Sequence, residues 1–227
     1  MYAALIFDFD NTLVDFDESE KVAITSYFAK QGILNTHNRN VIISTFLKVN
    51  THYWGQRNAL GIEAVFSKTI AEVFRLLFPT LTPPQNCGQT YLQEFEHAAI
   101  LESGARELII KIAPLYPLFI VSNGLKCIQR KRIETIGLVQ YFKDILVSGD
   151  VGFAKPQPEI FELLIAKHGL QKEGLLYIGD SLRDDYYGSK NAEIKFCFYN
   201  RQQRDYVEQV DHQINDLRAL LPLLGIA

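Results

Sequence analysis

The chain opens on an apolar run, residues 3–9, that carries Asp8 and is followed at once by Asp10. Two carboxylates so close repel each other unless a cation intervenes. A hard divalent ion with oxygen ligands answers that need, and Mg²⁺ suits a phosphate substrate. An aspartate carboxylate can attack phosphorus to give an acyl-phosphate, and a second acid beside it can serve as general acid and then general base. The plainer reading is that both acids cap the segment that follows, and an Asp-x-Asp pair alone does not choose between the two.

Three later places offer complementary chemistry. Val121-Ser122-Asn123-Gly124 follows the apolar run Leu118–Ile120. A hydroxyl with free backbone N–H groups at a helix N-terminus makes a site for phosphate oxygens, although a serine N-cap before a glycine turn reads the same way. Lys155-Pro156 puts an ammonium in a loop, with the proline expected to start the next helix and so to direct the lysine. Such a lysine is commonly solvated; placed beside the carboxylates, it would keep a nucleophile ionised and neutralise phosphate charge. Gly179-Asp180-Ser181-Leu182-Arg183-Asp184-Asp185 follows Leu175–Ile178. Asp180 offers a further oxygen to a metal, Asp185 could orient Lys155 or support the metal from behind, and Asp184 is expected to point into solvent.

The elements that must position these residues are legible as a rhythm. Short apolar runs at residues 3–9, Leu118–Ser122, Ile145–Ser148, Leu175–Gly179 and Lys195–Tyr199 read as strands buried on both faces. Helical patterns alternate with them at Ala105–Ala113, Lys126–Ile136, Pro156–His168 and Arg183–Ala192, and a last amphipathic helix is expected over Asn215–Leu224. That alternation predicts a three-layer α/β/α, Rossmann-like core around a parallel sheet. Between about Glu18 and His97 the rhythm fails and only helical patterns appear, at Glu18–Lys30, Val41–Val49, Ile62–Phe78 and Gln89–Phe95. The expected organisation is a catalytic core of residues 1–15 and 98–227, with residues 16–97 inserted as a helical cap.

Composition narrows the function classes. At 227 residues and a net charge of −3, the chain is long enough for a sizeable core and has no basic excess to meet a nucleic-acid polymer. Its densest basic run, Lys126–Arg132, falls in a helical pattern and is read as a solvated face. Cys87, Cys127 and Cys197 match no metal spacing and read as reduced thiols. The N-terminus lacks the pattern of a signal peptide or membrane anchor, so a cytoplasmic setting without a membrane partner is expected.

Taken together, the order and strand-end placement of the four motifs resemble the haloacid dehalogenase-like hydrolase superfamily along essentially the whole chain. The resemblance implies that Asp8 is the nucleophile and Asp10 the acid/base. It implies Mg²⁺ held by Asp8, the main-chain carbonyl of Asp10 and Asp180. Ser122, the backbone of Asn123 and Lys155 would hold the transferring oxygens, with Asp185 in support. An acid at position 10 also disfavours dehalogenation, because family members that attack carbon lack it. The inserted helices are similar to the family's cap, hinged near Phe16, Asp17 and Glu96–Ala99, which favours a small phosphorylated metabolite as partner.

Local features resemble the cytosolic pyrimidine and modified-nucleotide 5′-nucleotidase branch: Thr12-Leu13-Val14-Asp15-Phe16, Ser122-Asn123-Gly124-Leu125, and the block from Asp185 to Phe198-Tyr199-Asn200, where Glu193 replaces the branch's final glycine. In the cap, Tyr53, Trp54 and Arg57 could meet a base or sugar, although packing of the cap's own core is the favoured reading and an arginine such as Arg57 is more often a surface residue than a ligand. A sugar-phosphate or phosphoglycolate phosphatase, a phosphomutase of the β-phosphoglucomutase type and a non-catalytic binding protein stay open beside the nucleotidase reading. The oligomeric state is not legible.

Overall fold

The computed structural model describes residues 2–35 and 38–226. The strands are β1 (Ala4–Phe7), β2 (Val14–Asp15), β3 (Ile100–Leu101), β4 (Leu118–Ser122), β5 (Phe142–Val147), β6 (Leu175–Gly179), β7 (Lys195–Tyr199) and β8 (His212–Ile214). The α-helices are α1 (Phe16–Lys30), α2 (Arg39–Trp54), α3 (Arg57–Leu60), α4 (Ile62–Leu77), α5 (Cys87–Phe95), α6 (Ala105–Ile112), α7 (Lys126–Thr135), α8 (Ser148–Val151), α9 (Glu159–His168), α10 (Tyr187–Asn191) and α11 (Leu220–Leu223). By Cα proximity the chain divides into two compact units, Met1–Phe16 with Ala99–Ala227, and Asp17–Ala98. Each division falls one residue later than the sequence reading placed it.

The first unit is built on a parallel sheet in the order β5-β4-β1-β6-β7-β8. Strand residues alternate between its faces, and the two faces bury different helices. Leu5, Phe7, Leu118, Ile120, Leu176 and Ile178 pack with Leu108, Ile109 and Ile112 of α6 and Ile133 of α7. Ala4, Ile6, Phe119, Val121, Leu175 and Tyr177 pack with Ile160, Phe161 and Leu164 of α9. Both faces being covered explains why these strands are continuous apolar runs. Sequence order runs outward in both directions from β1, so β1 is the switch point of the sheet, where open α/β sheets place their ligands.

The second unit is helical. Ala23, Ile24, Tyr27 and Phe28 of α1, Ile42 and Phe46 of α2, Val65, Phe66, Ile70, Val73 and Phe74 of α4, and Tyr91 and Phe95 of α5 are all buried. Gly88 is required at the closest approach of α4 and α5, because a Cβ there would sit 2.6 Å from the Ser67 backbone nitrogen.

Several sequence expectations need correction. The helix after Lys155 begins at Glu159 rather than Pro156, and the Lys155–Pro156 peptide is cis. The expected helix over Arg183–Ala192 is a π-helical turn, Leu182–Tyr186, followed by the short α10. The expected terminal helix shrinks to a 3₁₀ turn at Leu217–Ala219 and the four residues of α11. Strands β2, β3 and β8, each of two or three residues, are too short to show a period. Finally, the Lys126–Arg132 run is not uniformly solvated: Lys126, Arg130 and Lys131 are exposed, whereas Arg132 is fully buried.

Candidate active site

Parallel pairing decides which residues meet. Phe7 is in register with Ile120 of β4 on one side and Ile178 of β6 on the other, and the Asp8 N–H donates to the Ile178 carbonyl at 2.8 Å. The three strand ends therefore put Asp8 beside Ser122 and Gly179-Asp180. The turn after Asp8 is held by Asn11, whose left-handed backbone (φ 59°) suits asparagine. The Asn11 Oδ1 accepts from the Phe16 N–H at 3.1 Å and from Arg201 Nη2 at 2.8 Å.

Lys155 reaches this point from its loop. Its Nζ donates to Asp8 Oδ1 at 2.5 Å, to Asp185 Oδ1 at 2.7 Å and to the Tyr177 hydroxyl at 2.7 Å. The loop is fixed by Asn123, whose side-chain amide donates to the Lys155 carbonyl at 3.0 Å and accepts from the Lys155 N–H at 2.9 Å. Asn123 thus acts on Lys155 through its side chain, a role the sequence did not suggest. Asp185 is held in turn by the Tyr177 hydroxyl at 2.7 Å and by the Ser181 N–H on Oδ2 at 2.9 Å. Gly179 makes room for that carboxylate, since a Cβ on it would lie 2.6 Å from Asp185 Cγ.

Asp8, Asp180 and Asp185 bring one carboxylate oxygen each to within 4.8 Å of one another. Asp8 and Lys155 are only 6% and 5% exposed, so their charges are largely out of water. Burial pushes the Asp8 carboxyl well above its ordinary range; Lys155 opposes the rise, and the charges of Asp185 and Asp180 add to it. Asp180 is pushed up to about 7 by burial and by the Asp185 charge. Burial alone would lower the Lys155 ammonium, but Asp185 and Asp8 outweigh it and hold the group above its usual value. Burial, reinforced by the Asp185 and Asp8 charges, likewise keeps the Tyr177 phenol neutral. Lys155 is thus shared by Asp8 and Asp185, with Asp180 in the same cluster, and this group of hard oxygen donors fits a divalent cation such as Mg²⁺. Both oxygens of Asp185 already serve Lys155, Tyr177 and Ser181, which leaves Asp8 and Asp180 as the better-placed ligands.

Asp10 lies in a separate set of contacts. Its Oδ1 accepts from Arg132 Nη1 at 2.7 Å and its Oδ2 from Gln129 Nε2 at 2.8 Å. The Arg132 guanidinium also stands over the rings of Phe9 and Phe16, 5.3 and 5.6 Å from their centroids. Gln129, Arg132 and Tyr177 were missed in the sequence. A signal existed for two of them: Gln129, Arg132, Ile133 and Ile136 recur at i, i+3, i+4 and i+7, so both polar residues share the buried stripe of α7.

The candidate cap residues form a cluster within the helical unit. Tyr53, Trp54 and Arg57 are half-buried. Trp54 lies 6.0 Å from Phe66, while Arg57 sits over the Trp54 ring at 5.4 Å and donates to the Trp54 carbonyl. These contacts are those of helical-unit packing.

A switch-point sheet, strand-end acids and a buried lysine define a Rossmann-like α/β hydrolase core carrying a helical insertion. The chain belongs to the haloacid dehalogenase-like hydrolase family, whose profile matches residues 5–199. It is 30% identical to YfnB of Bacillus subtilis, named a HAD-hydrolase, over 99% of this chain and 96% of that protein. The crystal structure of YfnB bound to magnesium matches at a TM-score of 0.85 and 29% identity, covering 99% of each chain. The pyrimidine 5′-nucleotidase PynA of Streptococcus pneumoniae is 29% identical over 88% of this chain and 84% of its own. The L-2-haloacid dehalogenase of Xanthobacter autotrophicus matches at a TM-score of 0.73 but 16% identity over 99% of each chain, a likeness of fold.

Proposed function

We propose that the chain is a Mg²⁺-dependent phosphatase of small phosphate monoesters, with nucleoside 5′-monophosphates as its substrate class. The observation that carries this reading is the buried cluster of Asp8, Lys155, Asp180 and Asp185, with Asp10 two residues beyond Asp8. The relation to PynA supports the nucleotide, and Asp10 argues against a haloacid as substrate.

Asp8 attacks phosphorus in line; the bond from phosphorus to the ester oxygen breaks, and an aspartyl-phosphate forms. Asp10 gives a proton to the departing oxygen, then takes one from the water that hydrolyses the intermediate. Lys155 balances the charge of Asp8 and of the transferring oxygens, which the Ser122 hydroxyl and the Asn123 N–H also meet. Mg²⁺, held by Asp8, Asp180 and the main-chain carbonyl of Asp10, would supply further charge neutralisation when bound. Asp185 and Tyr177 keep Lys155 aimed. Recognition of the organic part of the ester is assigned to the helical unit, with Tyr53, Trp54 and Arg57 as its candidates.

No helix among the described residues is long and apolar enough to cross a membrane, and Cys87, Cys127 and Cys197 are free thiols. Both facts suit a small-molecule enzyme of the cytoplasm.

The test is phosphate release across nucleoside 5′-monophosphates, sugar phosphates and phosphoglycolate, with wild-type protein and Asp8→Asn. We expect nucleotide turnover that EDTA abolishes, added Mg²⁺ restores and Asp8→Asn eliminates without loss of fold. Undiminished turnover by Asp8→Asn would sink the mechanism, and a negative result for every nucleotide would remove the substrate class. Transfer of the phosphoryl group to an added sugar in place of water would show a phosphomutase.

A further inference from the structure

Ser122 is the phosphate-contacting hydroxyl of the reading above, and a hydroxyl is useful to an anion only when its proton points outward. A serine has one proton and can equally turn its lone pairs towards a ligand. What decides the direction lies behind it, on α7. Gln129 Nε2 is 2.8 Å from Ser122 Oγ and 2.8 Å from Asp10 Oδ2, while Gln129 Oε1 is 3.2 Å from Arg132 Nη1.

The orientation of that amide follows from chemistry. Arg132 has only donors, so the amide oxygen must face it. An Asp10 carboxylate only accepts, so the amide NH₂ must face Asp10 and, with it, Ser122. Both neighbours demand the same rotamer of a residue that is 3% exposed, so water does not compete for the amide. The Ser122 oxygen is thereby an acceptor on its inner side. Its own proton is left to donate, and among the described residues the recorded acceptor is the Asn123 carbonyl at 3.4 Å, a poor bond. The same amide touches Asp10, so one side chain ties the group that moves protons to the group that holds oxygens.

We propose that Gln129, oriented by Arg132 and Asp10, is a positioning residue that fixes the Ser122 hydroxyl as a donor to the transferring phosphoryl oxygens. This rests on the phosphatase reading and assigns a role that neither the Asp8 motif nor the Lys155 motif contains. Arg132 sets the direction of the amide, the amide sets the direction of the hydroxyl, and the hydroxyl meets the anion.

The experiment is a double-mutant cycle on the affinity of inorganic phosphate, measured by titration calorimetry with Mg²⁺ present, using Gln129→Met, Ser122→Ala and their combination. Gln129→Met keeps the volume and removes the donor. It should weaken phosphate binding about tenfold, the scale of one hydrogen bond to a charged group. In the Ser122→Ala background it should change binding by less than about twofold, since there is no hydroxyl left to orient. Gln129→Glu keeps a polar side chain of the same shape and stands in if Gln129→Met does not fold. Its carboxylate accepts the Ser122 proton, so its penalty should likewise shrink when Ser122 is absent. A tenfold loss that persists undiminished in the Ser122→Ala background, or no loss at all, overturns the inference while leaving the phosphatase reading intact. A wild-type protein that neither binds phosphate nor hydrolyses any ester overturns both.

Discussion

Lys155 Nζ stands within 2.7 Å of three oxygens, so replacing it with methionine leaves Asp8 and Asp185 buried without their counter-charge. Breaking a buried ion pair from one side costs roughly 3–5 kcal/mol, because the abandoned charge cannot be hydrated. Lys155→Met should therefore lower the unfolding free energy of the metal-free protein by that order, read as a fall in its urea midpoint, and lower kcat by at least about a hundredfold. An unchanged midpoint would mean that the carboxylates find another cation. Asp180 sets a pH dependence at the same scale. Its folded value of about 7 lies above the ordinary aspartate value of about 3.9. The folded, metal-free protein then binds a proton that the unfolded chain has already released. Stability from this group is fully present below about pH 4 and is lost as pH rises towards 7. Mg²⁺ competes with that proton, so its stabilising shift in Tm should be small at pH 5.5 and grow towards pH 8. A magnesium shift that does not vary with pH would place the cation away from Asp180.

Among the elements, the turn leaving β6 is the most constrained. Gly179 ends the strand where the Asp185 carboxylate occupies the space of a Cβ, and the π-helical turn Leu182–Tyr186 brings Asp185 back to that place. Gly179→Ala must displace a carboxylate that Lys155, Tyr177 and Ser181 hold, and overpacking of this kind costs roughly 1–3 kcal/mol. The cost should shrink, without vanishing, when Asp185 is also replaced by alanine, whose remaining Cβ still lies 2.9 Å from the added methyl, as read by denaturant midpoints of the single and double variants. Equal costs in both backgrounds would locate the strain elsewhere. Helix α7 plays a comparable part on the other side of β1. Lys126, Arg130 and Lys131 face solvent, while Gln129 and Arg132 turn inward to Ser122 and Asp10.

For the whole molecule, the parallel sheet and the helical unit divide the work differently. The sheet brings Asp8, Ser122 and Asp180 together from positions 8, 122 and 180 of the chain because β4, β1 and β6 are adjacent. Packing of the helical unit rests on aromatic residues of its own, Tyr27, Phe28, Phe46, Phe66, Phe74, Tyr91 and Phe95. Its contribution to activity is a question of which ester is bound, and the substrate screen set out above addresses it at that level.

The sequence by itself determined the strands β4, β6 and β7 to the residue, because a strand buried on both faces is an uninterrupted apolar run with a sharp polar end. It also showed that Asp8 and Asp180 follow strands directly, where polar residues of such a sheet meet ligands, and that Lys155 lies in a loop. The tertiary structure alone decided the partners. That Tyr177, an ordinary apolar-run residue, presents its hydroxyl to Lys155 depends on a contact across 22 positions. That Arg132 is fully buried depends on Asp10, 122 positions away, and a charged side chain reads as solvated until its counter-ion is located. Local periodicity carries burial; only the assembled fold says which buried charge faces which.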